Sequence, residues 1–250
     1  MKRYYSPNKD FSHRKPLQIT YKVIRFFAKI GYKKPELIFT DEKFTNDDLV
    51  MLVPNHTKIF APKYFLIQKE IKTRLWVNCY FLDYKDCYRH LKTRVVYNLK
   101  PKYLLRFLSF ILTPLITNFF RSILPIPAYH KDERVDNITI KKSVESFDEG
   151  LVQVVFAERT EPKVNDYLYQ INYGFTKVAK SVYEKEHKCV KFFPVYCCQD
   201  LNKILIGKPY VYNPNIEHDV QKKIISDYIE AEIEKLAKSL PEHKIVLYVD

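Results

Sequence analysis

An alternation along the chain limits its fold most. Short apolar runs of strand type, at 36–40, 49–53, 152–156, 190–196 and 203–211, are separated by segments with helical spacing. Segments 63–69, 102–121, 138–147 and 174–184 read as helices, and 75–82 as a further strand. The clearest helix is 217–240, where Val220, Ile224, Tyr228, Ile233, Leu236 and Leu240 recur at helical intervals. A last apolar run, 244–249, reads as a closing strand. Strands alternating with helices predict an α/β domain, a mixed sheet flanked by helices. A 250-residue chain buries about 75% of its unfolded surface, which suits one domain with a small appendage.

The appendage is expected at the N-terminus. Residues 1–34 hold ten Lys and Arg against Asp10 alone. Within them 17–30 reads as an amphipathic helix. Tyr21, Ile24, Phe27 and Ala28 share one face, Lys22, Arg25 and Lys29 another, and Gly31 supplies a stop. Such a helix lies on an anionic membrane surface or packs its apolar face on the domain. The expected division is 1–34 as a basic segment with a membrane-surface helix, and 35–250 as the α/β domain.

The net charge of +13 suits an anionic partner, although a lysine-rich composition that only keeps a protein soluble has the same charge. The 20 Tyr and 17 Phe fall mainly inside apolar runs and not between lysines on a Gly-rich surface, so no nucleic-acid partner is expected. The longest uncharged run, 107–120, contains Pro114 and is too short to span a bilayer. It reads either as a segment dipping into a membrane interface or, preferably, as a buried helix pair. Five Cys, an odd number without C-x-x-C spacing, imply neither a disulfide framework nor a zinc site. Reduced, mostly buried thiols in a cytosolic setting are expected. The polar N-terminus shows no secretory core.

Five stretches carry candidate chemistry. V-P-N-H-T-K-I-F-A-P (53–62) puts an Asn-His pair after an apolar run, with Pro62 six residues past the His. R-S-I-L-P-I-P-A-Y-H (121–130), E-G-L-V-Q-V-V-F-A-E-R-T (149–160), F-F-P-V (192–195) and I-G-K-P (206–209) follow. Tyr173-Gly174-Phe175 resembles a helix entry between the 149–160 and 192–195 blocks. Each alone is weak. A His in a strand-to-helix loop is more often a hydrogen-bonded surface residue than a base, and a Glu after an apolar strand is usually a solvated strand end. In this order and spacing, over residues 53–209, the stretches resemble the glycerophospholipid acyltransferase family, PlsC-like, of the lysophosphatidic acid acyltransferase type.

The resemblance implies an activity and a set of residues. His56 corresponds to the general base that takes a proton from an acceptor hydroxyl. Glu158, Arg159 and Thr160 correspond to the acceptor side, with Ala157 and Arg159 in place of the family's Pro and Gly. That exchange removes a close backbone approach to phosphate and offers a guanidinium instead. Arg121 and Lys131 are basic candidates for the phosphate. The reaction moves a fatty acyl group from an acyl thioester, acyl-CoA or acyl-ACP as co-substrate, to a lysophospholipid or glycerol-phosphate hydroxyl. No metal or bound cofactor is implied. The place implied is the cytoplasmic face of a membrane, peripheral or monotopic, with segments 103–127 and 17–30 against an anionic surface.

One position departs from the family. Ala61 stands where the resemblance calls for the Asp that orients and charges the imidazole. An alanine accepts no hydrogen bond, and disabling such a carboxylate in a Ser-His-Asp triad lowers turnover by roughly 10⁴-fold. Three outcomes stay open: an inactive form, natural or engineered; a substitute carboxylate such as Glu158 or Asp83; or a backbone carbonyl or water orienting His56. The alternative function is therefore a catalytically impaired protein of the same fold that binds lipid or membrane.

Overall fold

Runs rich in Val, Ile and Phe become strands, and those with helices on both faces are buried from both sides. The structure, a computed structural model, describes residues 22–23, 25–26, 29–95, 102–129 and 137–248. Its strands are β1 (Glu36–Phe39), β2 (Leu49–Pro54), β3 (Thr73–Asn78), β4 (Ile126–Ala128), β5 (Val152–Val154), β6 (Glu158–Lys163), β7 (Tyr169–Ile171), β8 (Val190–Cys198), β9 (Lys203–Ile206) and β10 (Tyr210–Val211). Its helices are α1 (Phe60–Ile67), α2 (Tyr84–His90), α3 (Lys102–Ser122), α4 (Asn137–Asp148), α5 (Lys177–Glu186) and α6 (His218–Lys238).

The main sheet runs β1-β9-β8-β2-β5-β3-β4, with β10 added against β8. Strands β8, β2, β5, β3 and β4 are parallel neighbours, whereas β9 and β10 pair antiparallel with β8. The fold is thus α/β with a mixed, mostly parallel sheet flanked by helices. Strands β6 and β7 form a separate antiparallel hairpin.

Strand β2 shows how the core is divided. Met51 and Val53 face a layer containing Val144 and Phe147 of α4, Val178 and Val182 of α5, and Ile225 and Ile229 of α6. Val50 and Leu52 face the other layer, with Ala61, Tyr64 and Phe65 of α1. Alternation across a strand makes this division, and each fully buried side chain of this kind contributes about 1.5–3 kcal/mol. Four of the five cysteines are buried and none is in a disulfide.

Several expected elements differ. The strand expected over 75–82 stops at Asn78, whose side chain accepts from Tyr80 N–H and turns Cys79–Leu82 into a 3-10 segment. Gly207 and Pro209 break 203–211 into β9 and β10. The closing strand over 244–249 is absent: residues 243–248 are irregular, and residue 249 lies outside the described residues. The helix expected over 17–30 is described only in part. Residues 22–23, 25–26 and 29 are helical, and Gly31, at φ 66°, ends it in the left-handed region.

The preferred reading of 107–120 as a buried pair is overturned. It lies in α3, one 21-residue helix running through Pro114. The buried stripe of α3 is the polar one: Ser109, Thr113, Thr117 and Arg121 recur every fourth residue and are all buried. Phe107 and Phe110 are 59% and 73% exposed. No helix among the described residues is long and apolar enough to cross a membrane.

Candidate active site

Strands β2 and β5 are parallel neighbours, so their C-terminal ends open on the same sheet edge, the usual place for a site in such folds. From β2 the chain passes through Asn55, His56 and Thr57 into α1. From β5 it passes through Phe156 and Ala157 into the β6–β7 hairpin. The buried carboxylate of Glu158, first residue of β6, joins the two paths. Its Oε2 accepts from the His56 main-chain N–H at 2.6 Å, and its Oε1 from the Tyr169 N–H at 2.7 Å. One side chain thereby fastens the histidine loop to the hairpin.

Two further side chains shape the loop. Asn55, buried, extends the β2–β8 ladder past the strand end. Its N–H donates to the Val195 carbonyl at 3.2 Å, and its Oδ1 accepts from Cys197 N–H at 2.7 Å. Thr57 Oγ1 accepts from Ala61 N–H at 3.1 Å and satisfies one of the open donors at the start of α1. Directly after Thr57 the backbone passes through Lys58 at φ 45°, a conformation that a side chain with a Cβ adopts only under constraint.

The imidazole of His56 is half-buried. The Tyr248 ring lies against it, centroids 4.1 Å apart and planes at 35°, and Phe156 flanks it at 5.1 Å. Nδ1 is sealed from solvent and has no hydrogen-bond partner among the described residues. Burial pushes the His56 pKa from its ordinary 6.5 to about 4, opposed by its own backbone carbonyl, whose geometry to Nδ1 falls short of a hydrogen bond. Burial likewise raises Glu158 from 4.5 to about 7, against the two N–H donors that favour its ionised form. Burial first, then the charge of Glu158, holds the Tyr248 phenol above its usual range. The site therefore holds a neutral imidazole at neutral pH.

Ala61 is fully buried in α1 among Tyr64, Phe65 and Phe193. Neither of the substitute carboxylates named from sequence reaches Nδ1. Glu158 is engaged by main-chain donors, and Asp83 caps α2 by accepting from Lys85 and Asp86 N–H at 2.9 and 3.3 Å. Arg159 alternates with Glu158 along β6 and so points to the other side, toward α6. Its guanidinium lies 6.0 Å over the Tyr173 ring, and Lys222 Nζ lies 5.3 Å over the same ring. Thr160 is exposed on β6. Arg121 lies beyond β5, beside the turn that follows β3. There Nε and Nη2 donate to the Leu82 carbonyl at 2.9 and 2.6 Å, and the guanidinium covers the Tyr84 ring. Lys131 lies outside the described residues. Among the described residues, no three His, Cys, Asp or Glu side chains gather as a metal would need.

No known family model matches the chain, and no curated protein matches it by sequence. Among solved structures it is similar to the 1-acyl-sn-glycerophosphate (LPA) acyltransferase PlsC from Thermotoga maritima. The similarity extends over 89% of this chain and 81% of that one, at 12% identity and a TM-score of 0.46. That likeness assigns no residue a role.

Sequence reasoning missed Tyr248 and the structural parts played by Asn55 and Thr57. Asn55 carried a signal, since it directly precedes the histidine at a strand end. Tyr248 carried none: its ring meets His56 only because the tail after α6 crosses the open edge of the sheet.

Proposed function

We propose that the chain is an acyltransferase that moves a fatty acyl group from an acyl thioester to a lysophospholipid or glycerol-phosphate hydroxyl, with His56 as general base. The observation that carries this reading is the 2.6 Å bond from His56 N–H to Glu158, which joins two of the motif blocks across 102 residues at the open sheet edge. A hydroxyl approaching Nε2 gives its proton to the neutral imidazole. The alkoxide oxygen attacks the thioester carbonyl, and the tetrahedral intermediate collapses with cleavage of the C–S bond. The imidazolium returns the proton to the leaving thiolate of coenzyme A or acyl carrier protein. Thr160 on β6, with Lys131, makes the proposed acceptor side, while Arg159 stands on the opposite face of the strand, over the Tyr173 ring. Arg121 holds the end of α3 to the Leu82 carbonyl and covers the Tyr84 ring.

The proposed place of action is an anionic membrane surface on the cytoplasmic face. The outward apolar stripe of α3, with Tyr103, Phe107, Phe110 and Leu115 exposed and no acidic residue in the helix, supports it. So do the exposed Val23, Phe26 and Ile30 among lysines.

A second reading, a catalytically impaired lipid-binding protein, is favoured by one observation. Nδ1 is sealed without an acceptor among the described residues, and burial holds the ring near pKa 4, where it is a weak base. Transfer from a labelled acyl thioester to lysophosphatidic acid in micelles separates the two. The wild type is expected to turn over, and His56→Ala to lose at least about a hundredfold. Ala61→Asp is expected to gain activity by giving Nδ1 an acceptor. If neither the wild type nor Ala61→Asp turns over while vesicles are still bound, the enzyme reading falls and the lipid-binding one stands.

A further inference from the structure

An imidazole whose Nδ1 has no hydrogen-bond partner among the described residues lacks, among them, the usual device that fixes its second side-chain torsion, a torsion with broad preferences. Ring packing takes that place here. Tyr248 lies against the imidazole at 4.1 Å with a tilt of 35°, and Phe156 closes in at 5.1 Å with a tilt of 58°. The segment that delivers Tyr248 is tied down before it arrives. Lys244 N–H donates to Asp200 at 2.9 Å, His243 Nε2 meets the Tyr196 hydroxyl at 2.7 Å, and Leu247 is buried. A ring stacked on a face restricts rotation while leaving the in-plane lone pair of a nitrogen accessible.

We propose that Tyr248 is a positioning residue for His56, its ring holding the imidazole plane in the orientation that the family's carboxylate at position 61 would otherwise set. The inference rests on the reading of His56 as a base. It also makes the tail after α6 part of the site. The ring that orients the imidazole is also one that shuts water from it, so orientation and burial are lost together when the ring is removed. The titratable groups next to the imidazole are Glu158 on β6, at its main-chain N–H, and the Tyr248 phenol itself; Phe156 carries none.

The test labels histidine with ¹³C at Cε1 and follows His56, one of seven histidines, by NMR across pH, with His56→Gln to assign its signal. Tyr248→Ala is expected to move the His56 midpoint upward, from about 4 toward the ordinary 6.5. It is expected to lower kcat roughly a hundredfold, the scale of a small misplacement, with little change in KM. Tyr248→Phe keeps the ring and should leave both readings as in the wild type. An unchanged His56 midpoint in Tyr248→Ala overturns the proposal, because the ring is then not what covers the imidazole. So does a Tyr248→Ala variant faster than wild type, because the ring is then a plug. If the midpoint moves as expected but no form, wild type included, transfers acyl groups, the ring contact stands and the enzyme reading fails.

Discussion

At the scale of single residues, His56 and Glu158 carry opposite consequences of the same burial. Glu158 is raised from 4.5 to about 7, so between those values the folded form holds a proton that the unfolded form has lost. Its contribution is fully present below the unfolded value and disappears as pH rises to about 7. His56 is lowered from 6.5 to about 4, so in that window the unfolded form holds the extra proton. Its contribution is present above the unfolded value and is lost as pH falls toward about 4. In the wild type the two slopes largely cancel where the windows overlap. Denaturant unfolding between about pH 5 and 6.5 is the check. Relative to wild type, His56→Gln should tilt stability downward with rising pH, and Glu158→Gln should tilt it upward. Parallel curves for all three would mean that burial does not set these pKa values.

At the scale of elements, the turn between β9 and β10 shows how tightly α6 sits on the sheet. Gly207 N–H donates to the Pro194 carbonyl at 2.9 Å. A Cβ at position 207 would stand 3.1 Å from Leu236 Cδ1 and 3.2 Å from Pro194 Cγ. Gly207→Ala should therefore cost about 1–3 kcal/mol through overpacking, read as a lower denaturation midpoint. Leu236→Ala removes the nearer atom. In a double-mutant cycle the two changes should be less than additive, and strict additivity would mean that the helix is not what the Cβ meets. The match of Ile206-Gly207-Lys208-Pro209 to a sequence block thus has a packing explanation of its own. A lone Gly in that block says nothing about chemistry.

At the scale of the whole molecule, a net charge of +13 and an outward apolar stripe on α3 would act on the proposed partner, an anionic membrane surface, over different ranges. Charge steers over about a Debye length, whereas the stripe contributes only on contact. The double change Phe107→Ser and Phe110→Ser should weaken sedimentation with anionic vesicles by at least about tenfold, since burying each ring is worth about 1.5–3 kcal/mol. The fold should keep its stability within about 0.5 kcal/mol, as both rings are exposed. Raising salt should weaken vesicle binding of wild type and variant alike. Loss of binding with salt but not with the double change would leave charge as the sole attraction.

Sequence by itself determined what windows of a few residues control. The strand runs of β2, β5 and β8, the long helix α6 and the α/β class were all legible, because side-chain period and turn residues are local properties. The candidate base, the glutamate of the third block and Ala61, where the resemblance calls for a carboxylate, were legible as motif letters in order. Tertiary structure decided how those letters act. Glu158 turned out to hold the His56 main chain and not its ring, Arg159 points away from Glu158, and Arg121 is taken up by the Leu82 carbonyl. The apolar run at 107–120 faces outward because its Ser and Thr stripe packs inward, a choice that hydropathy does not encode. Tyr248 reaches the imidazole only through the path of the tail across the sheet edge. Contacts between distant segments depend on which surfaces the packed elements leave for each other. No short window of sequence holds that information.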